Sequence, residues 1–329
     1  MPESSTRLPM LDGASDRAGA ALGPHTVYLL AAESAHLSQR ENRRFAKAQI
    51  YIPADCTDRL ASIVIVPGFA CGENTVAAWA PFFASHGFLA MTIATRRPFH
   101  DMPRHRAEAM LEAMCALKEE EVRGDSALFG RLDVTRFAIA GWSMGGGGCQ
   151  LAALADPSLR CVLAFAPHPG LGLCWSLPAQ LTDTVPTLII SGQCDPVSWA
   201  CLVQRIYSAV RGPAKLHLQV RRGDHAIANG PAGGNCCQIA FGCGVCAACT
   251  IGFGVCCGNY SPCGAFDRPT GLARLESRNG AIGAIALRWV RFYLRGGEAA
   301  AGAEDLVQLQ RRPSIASGWR CENLGMERS

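Results

Sequence analysis

From residue 45 onward the chain alternates between short apolar, β-branched runs and longer stretches with helical spacing. Residues 48–52 and 62–66 read as strands, the second ending at the turn signal Pro67-Gly68. Residues 74–85 carry a helical period closed by His86-Gly87, and 88–94 form the next apolar strand. In 104–122, Met110, Leu111, Met114 and Leu117 share one face, which predicts an amphipathic helix leading to a strand over 136–140. Further strands are predicted at 161–166, 187–191 and 216–220, and further helices at 149–155, 199–210 and 281–294. Such alternation predicts a mostly parallel sheet with helices on both faces.

Two stretches depart from this pattern. Residues 230–264 are rich in Gly, Ala and Cys without a strand or helix period, and read as an insertion in an otherwise regular single domain over 23–298. Residues 1–22 read as a disordered leader, and 299–329, rich in Gly, Ala and Arg, as a loosely ordered surface tail.

Composition narrows the class. With 329 residues, 49% hydrophobic and 18% charged, the chain is an ordinary globular one with ample length for a buried core. The net charge of +4 is spread along the sequence rather than gathered in a basic stripe, so no nucleic-acid partner is expected. No apolar window is long enough to span a membrane, and the first 25 residues lack the apolar core of a secretory signal. Scattered cysteines such as Cys115, Cys149 and Cys161 lie in apolar segments and read as small buried hydrophobes.

The predicted strand at 136–140 runs into Gly141-Trp142-Ser143-Met144-Gly145, and then into three more glycines and a helix. A serine on so sharp a strand-to-helix turn is lifted above the sheet edge, and flanking glycines let the two backbones approach. The Met144 N–H and the helix N-terminus would face a developing oxyanion. A plain glycine-rich turn cradling phosphate is the alternative reading.

A serine nucleophile needs a base and an orienting acid, in chain order Ser, Asp or Glu, His for this kind of fold. Asp195 follows the strand at 187–191, and His225 follows the strand at 216–220. Asp224 is a competing acid, but as the sequence neighbour of His225 it points elsewhere. His86, His100 and His168 are competing bases that violate the order. The second oxyanion donor is expected in the loop after 62–66, where Phe69 N–H is the candidate. The rings of Phe69 and Trp142 would wall an acyl pocket, or else fill core.

The strings IVIVPGF (63–69), ASHGF (84–88), GWSMGGGG (141–148), DPSL (156–159), PTLI (186–189) and GDHAIAN (223–229) resemble the cutinase-like polyester hydrolases, including poly(ethylene terephthalate) hydrolases, over residues 23–294. The resemblance implies an α/β-hydrolase fold, with Ser143 as nucleophile, His225 as base, Asp195 as acid and the Phe69 and Met144 amides as the oxyanion hole. It implies a substrate pocket of Phe69, Trp142, His168 and Val197, an ester or polyester substrate, no metal or organic cofactor, a monomer, and secretion. Many cutinases of the family carry His where this chain has Trp142, whereas poly(ethylene terephthalate) hydrolase carries Trp.

Three departures bear on the substrate. His168 stands where the family usually places a Trp that packs on an aromatic acyl unit. The family disulfide between the acid and base loops would need cysteines at Gly192 and Ile227 and cannot form. The third departure is the insertion, where eight of the 17 cysteines fall within 236–263. Its C-x2-C-x2-C spacing is shared with iron–sulfur sites, but the fourth ligand with its following Pro is missing. Zinc would have to be held by paired cysteines, since no His lies in the insert. A local disulfide staple is the leading account, and it requires an oxidising compartment. A polyester or short-acyl esterase is therefore expected. A dienelactone-type or small-ester hydrolase is the enzymatic alternative, and a non-catalytic binding protein of the same fold the other.

Overall fold

A computed structural model describes residues 6–7, 21–39, 43–170, 177–233, 280–295 and 300–324. Among the described residues ten strands form one sheet: β1 (Thr6–Arg7), β2 (Val27–Leu29), β3 (Phe45–Pro53), β4 (Leu60–Val66), β5 (Leu89–Thr95), β6 (Leu132–Trp142), β7 (Cys161–Phe165), β8 (Thr187–Gly192), β9 (Lys215–Val220) and β10 (Ala316–Glu322). Their order is β1-β2-β3-β5-β4-β6-β7-β8-β9-β10. The run from β5 to β9 is parallel, while β1, β2 and β3 at one edge and β10 at the other pair antiparallel. This is the mostly parallel sheet that the alternation predicted, in the α/β-hydrolase architecture that the resemblance implied.

The helices are α1 (Ala31–Gln39), α2 (Trp79–Ser85), α3 (Pro103–Val122), α4 (Met144–Ala155), α5 (Ala200–Ala209), α6 (Ala281–Arg295) and α7 (Ala300–Gln310). The central strands β4, β5, β7 and β8 are buried at every position because both faces are covered. In β4, Ile63 and Ile65 join the cluster under α2 and α6, while Val64 and Val66 join the cluster under α1, α3, α4 and α5. Trp79 of α2 is fully buried and stacks on Phe165 of β7 at 4.5 Å between ring centroids, so α2 is anchored under the end of the strand beside Ser143.

Several expectations are corrected. The region read as a surface tail contributes α7 and the edge strand β10, with Leu309, Ile315, Ala316 and Leu324 buried. An Ala-rich stretch is a good helix former, and Leu309 supplies its anchor on the core. The expected leader contributes the edge strand β1, paired with Tyr28 and Leu29. The helix expected over 74–85 is split into a 3-10 turn at Glu73–Thr75 and α2. Cys149 and Cys161 are buried as expected, but Cys115 is exposed, because the helical period places it away from Met110, Met114 and Leu117. The cysteine-rich stretch 236–263 lies outside the described residues. Among the described residues no helix is long and apolar enough to cross a membrane.

Candidate active site

The parallel strands end at one edge of the sheet, where ligands bind in open α/β folds. There β6 passes into α4 through a single residue, Ser143. Its backbone sits at φ 57° and ψ −121°, a left-handed conformation that costs on the order of 1–3 kcal/mol in a non-glycine residue and persists only where the surroundings enforce it. They do so by crowding. A Cβ on Gly141 would lie 2.3 Å from the Gly145 carbonyl oxygen, and one on Gly145 would lie 2.5 Å from that of Val66. Only glycine at both positions lets β6, α4 and the end of β4 converge on the serine.

Two further loops converge on it. His225 Nε2 lies 2.9 Å from Ser143 Oγ, and His225 Nδ1 donates to Asp195 Oδ2 at 2.8 Å. The carboxylate is an acceptor only, so it fixes the proton on Nδ1 and leaves the Nε2 lone pair facing the serine hydroxyl. Asp195 is itself held, since its Oδ1 accepts the Val197 and Ser198 N–H groups, each at 2.8 Å. Ser198 Oγ in turn donates to the Ala166 carbonyl at 2.8 Å, tying the acid loop to the end of β7. On the base loop, Trp142 Nε1 donates to the His225 carbonyl at 2.8 Å, and Trp79 Nε1 to the Ala228 carbonyl at 3.1 Å. Ser143, Asp195 and His225 are all buried. The arrangement therefore holds one hydroxyl, one imidazole and one carboxylate in a fixed chain, in a setting where charge interactions are stronger than in water.

Among the described residues, neither the Phe69 nor the Met144 backbone N–H has an acceptor in the protein. Met144 is the first residue of α4, where an N–H has no intrahelical partner. The loop bearing Phe69 lies directly against the turn, since a Cβ on Gly68 would come within 2.7 Å of Ser143 Cβ.

The remaining predicted residues divide. Trp142, expected as an aromatic wall, is only 3% exposed, and its indole is committed to His225. Its indole holds the main chain of His225 rather than offering an open platform. Phe69 is half-buried and meets Phe99 edge-on, with centroids 6.0 Å apart. Phe99 is 58% exposed and was not singled out by the sequence, where a lone aromatic in a loop carries no signal. His168 adjoins the nucleophile turn through its N–H bond to the Ser143 carbonyl, and its Nδ1 accepts the Gly170 N–H at 3.2 Å. Burial, and then the neighbouring His225, lower its pKa to about 4, so it is neutral. Val197 is half-buried, and its backbone serves Asp195.

The competing residues lie elsewhere or do other work. Asp224 accepts the N–H of Ala226 within its own turn. His86 packs on Phe82 near Arg291, and His100 is exposed. Cys194, beside the acid, is disulfide-bonded. Among the described residues no group of three or more His, Cys, Asp or Glu side chains is placed to hold a metal ion.

Comparison with known proteins gives a consistent set of relatives. A family model described as PET hydrolase-like matches residues 13–240, more than half of the chain. The cutinase est2 of Thermobifida alba is 30% identical over 218 residues, covering 63% of this chain and 69% of its own length. The bis(hydroxyethyl) terephthalate hydrolase of Streptomyces coelicolor is 31% identical over 156 residues, 47% of this chain and 46% of its own. Lipase 1 of a Moraxella species is 27% identical over 192 residues, 57% of this chain and 56% of its own. The matched region thus spans about half to two thirds of the relatives' lengths.

Proposed function

The chain belongs to the PET hydrolase-like family, and on that premise we propose that it is a serine carboxylic ester hydrolase of polyester or short-acyl esters, working through an acyl-enzyme on Ser143. The observation that carries the proposal is the hydrogen-bonded chain Ser143–His225–Asp195, with distances of 2.9 and 2.8 Å and its serine on a strained turn.

The geometry supports the following reaction. Ser143 Oγ attacks the ester carbonyl carbon while its proton passes to His225 Nε2, and Asp195 stabilises the imidazolium that forms. The carbonyl oxygen, now negative, accepts hydrogen bonds from the Phe69 and Met144 amides. Removing one such donor elsewhere costs about 3–4 kcal/mol of transition-state stabilisation. Collapse breaks the bond to the alcohol oxygen, which takes the proton from His225 and leaves. A water molecule then attacks the acyl-serine, giving its proton to Nε2, and the second collapse returns that proton to Ser143 Oγ as the acid departs. No step calls for a metal or an organic cofactor.

The relatives' names, a cutinase and a bis(hydroxyethyl) terephthalate hydrolase among them, support the ester class. His168 favours a second reading within it, a small-ester hydrolase, because a buried imidazole gives an aromatic acyl unit less flat surface than an indole does. Turnover of p-nitrophenyl butyrate that disappears in Ser143→Ala tests the chemistry; unchanged turnover in that variant would sink it. Release of soluble aromatic acid from a polyester film selects the polyester reading, and a soluble-ester activity without film release selects the other.

A further inference from the structure

Arg106 is a buried cation that the triad does not use. It is fully buried in α3, and its guanidinium makes no ion pair among the described residues. Its terminal nitrogens donate instead to two main-chain carbonyls, Nη1 to Pro67 at 3.0 Å and Nη2 to Pro98 at 3.1 Å, while Nε has no acceptor among the described residues. The Pro98 carbonyl is shared, because it also accepts the Ala70 N–H at 2.8 Å. Phe69 is therefore bracketed. The carbonyl two residues before it and the amide one residue after it are both fixed to a single guanidinium, the first directly and the second through Pro98.

The surroundings leave this loop little freedom of its own. Ala70 adopts a left-handed φ of 58°, a conformation unfavourable for alanine unless neighbours hold it. Gly68 is pressed against Ser143. Arg106 reaches the loop because α4 presents Gly148 to α3, where a Cβ would meet both Arg106 Cβ and the Pro103 carbonyl at 3.0 Å. Burial lowers the arginine pKa to about 10, which leaves it charged at neutral pH. An ion buried with no carboxylate at ion-pair distance, Asp101 acting on it only from farther away, is costly, and an apolar side chain would fill the same space without that cost. What it would not do is hold two carbonyls at a fixed separation.

We propose that Arg106 is a positioning residue of the oxyanion hole, holding the Phe69 N–H, through the Pro67 and Pro98 carbonyls, in line with the oxygen that becomes negative in the transition state. The inference rests on the serine-hydrolase reading above. Preorganised donors act chiefly on the transition state, so loosening one lowers kcat rather than raising KM.

The test uses Arg106→Lys and Arg106→Met in the full chain. With p-nitrophenyl butyrate we expect kcat to fall about 10- to 100-fold in the Met variant, with KM changing less than about twofold, and the Lys variant to recover part of the loss. Binding of an alkylboronic acid, a tetrahedral mimic, should weaken in step with kcat/KM. Amide hydrogen exchange at Ala70 should quicken in both variants, since its acceptor is no longer held. Wild-type kcat, boronate affinity and Ala70 exchange in either folded variant would overturn the proposal. So would a loss confined to KM. If the Met variant fails to fold, the Lys variant alone decides between these outcomes. The exchange arm separates the two readings, because faster exchange in the variants of a chain that hydrolyses no ester would leave Arg106 a loop-positioning residue and remove the hydrolase.

Discussion

The indole of Trp142 and the main chain of His225 are joined directly, with Nε1 donating to the His225 carbonyl at 2.8 Å while the two rings lie 4.9 Å apart. Trp142 therefore holds the segment that carries His225, although 83 positions separate the two in sequence. Trp142→Phe keeps the aromatic bulk but leaves a buried carbonyl without its donor, at a cost of about 1–3 kcal/mol. A lower urea midpoint is expected, together with a several-fold drop in kcat at nearly constant KM. A variant with wild-type kcat would mean that the indole bond does not seat the base.

How much of this was legible in the sequence depended on burial. The central strands are covered on both faces, so they stand out as largely apolar runs, and the order Ser143, Asp195, His225 could be read from where those runs end. β2 and α1 were not predicted, because Val27–Leu29 is only three residues long and in α1 only Leu37 is a buried apolar side chain. α7 and β10 were lost in an Ala- and Gly-rich composition whose anchors, such as Leu309, sit singly. Arg106 did leave a signal. It falls on the same helical face as Met110, Ala113 and Leu117, a charge within an apolar stripe. Trp142 stands out as an aromatic beside Ser143, but its bond to the His225 carbonyl leaves no signal, since the partner of a buried indole is set by tertiary contact.

Glycine substitutions distinguish the strained turn from ordinary loops. A Cβ at Gly145 would lie 2.5 Å from the Val66 carbonyl oxygen and 2.7 Å from that of Pro67, both main-chain atoms that cannot swing aside. Gly145→Ala should therefore cost about 1–3 kcal/mol and displace the oxyanion loop, abolishing most ester turnover. Gly72→Ala is the control, since it has no neighbour within 4 Å and a φ of −90°. Its urea midpoint should match wild type or rise slightly. Equal behaviour of the two variants would refute the crowding argument.

Acid sensitivity follows from buried neutral histidines. His217, whose Nε2 lies 2.9 Å from Ser191 Oγ, has its pKa lowered to about 4 by burial and then by Arg320; His168 is lowered to the same value. Between about pH 6.5 and 4 the unfolded chain binds protons at these sites and the folded chain does not, so stability must fall as pH drops through that window. Above it, both states are neutral and the contribution is complete. His217→Gln retains a partner for Ser191 without titrating. Its urea midpoint should decline less than that of wild type between pH 7 and 4.5, and parallel declines would assign the acid limb to other groups.

The substrate reading is tested most directly at His168. The Gly170 N–H occupies its Nδ1, and among the described residues Nε2 has no protein partner, so the ring offers one fixed N–H donor beside the nucleophile turn. A neutral donor suits an acyl group bearing a second oxygen, whereas an indole suits a flat aromatic one. His168→Trp should then raise kcat/KM on bis(hydroxyethyl) terephthalate relative to p-nitrophenyl butyrate by about 10-fold, within the range that a single pocket contact supplies. The change also strands the Gly170 N–H, so a modest loss of stability should accompany it. His168→Phe removes the same bond and adds a smaller flat ring, which separates the two effects. If both variants lose stability and neither shifts the ratio, position 168 shapes the loop and does not select the acyl group.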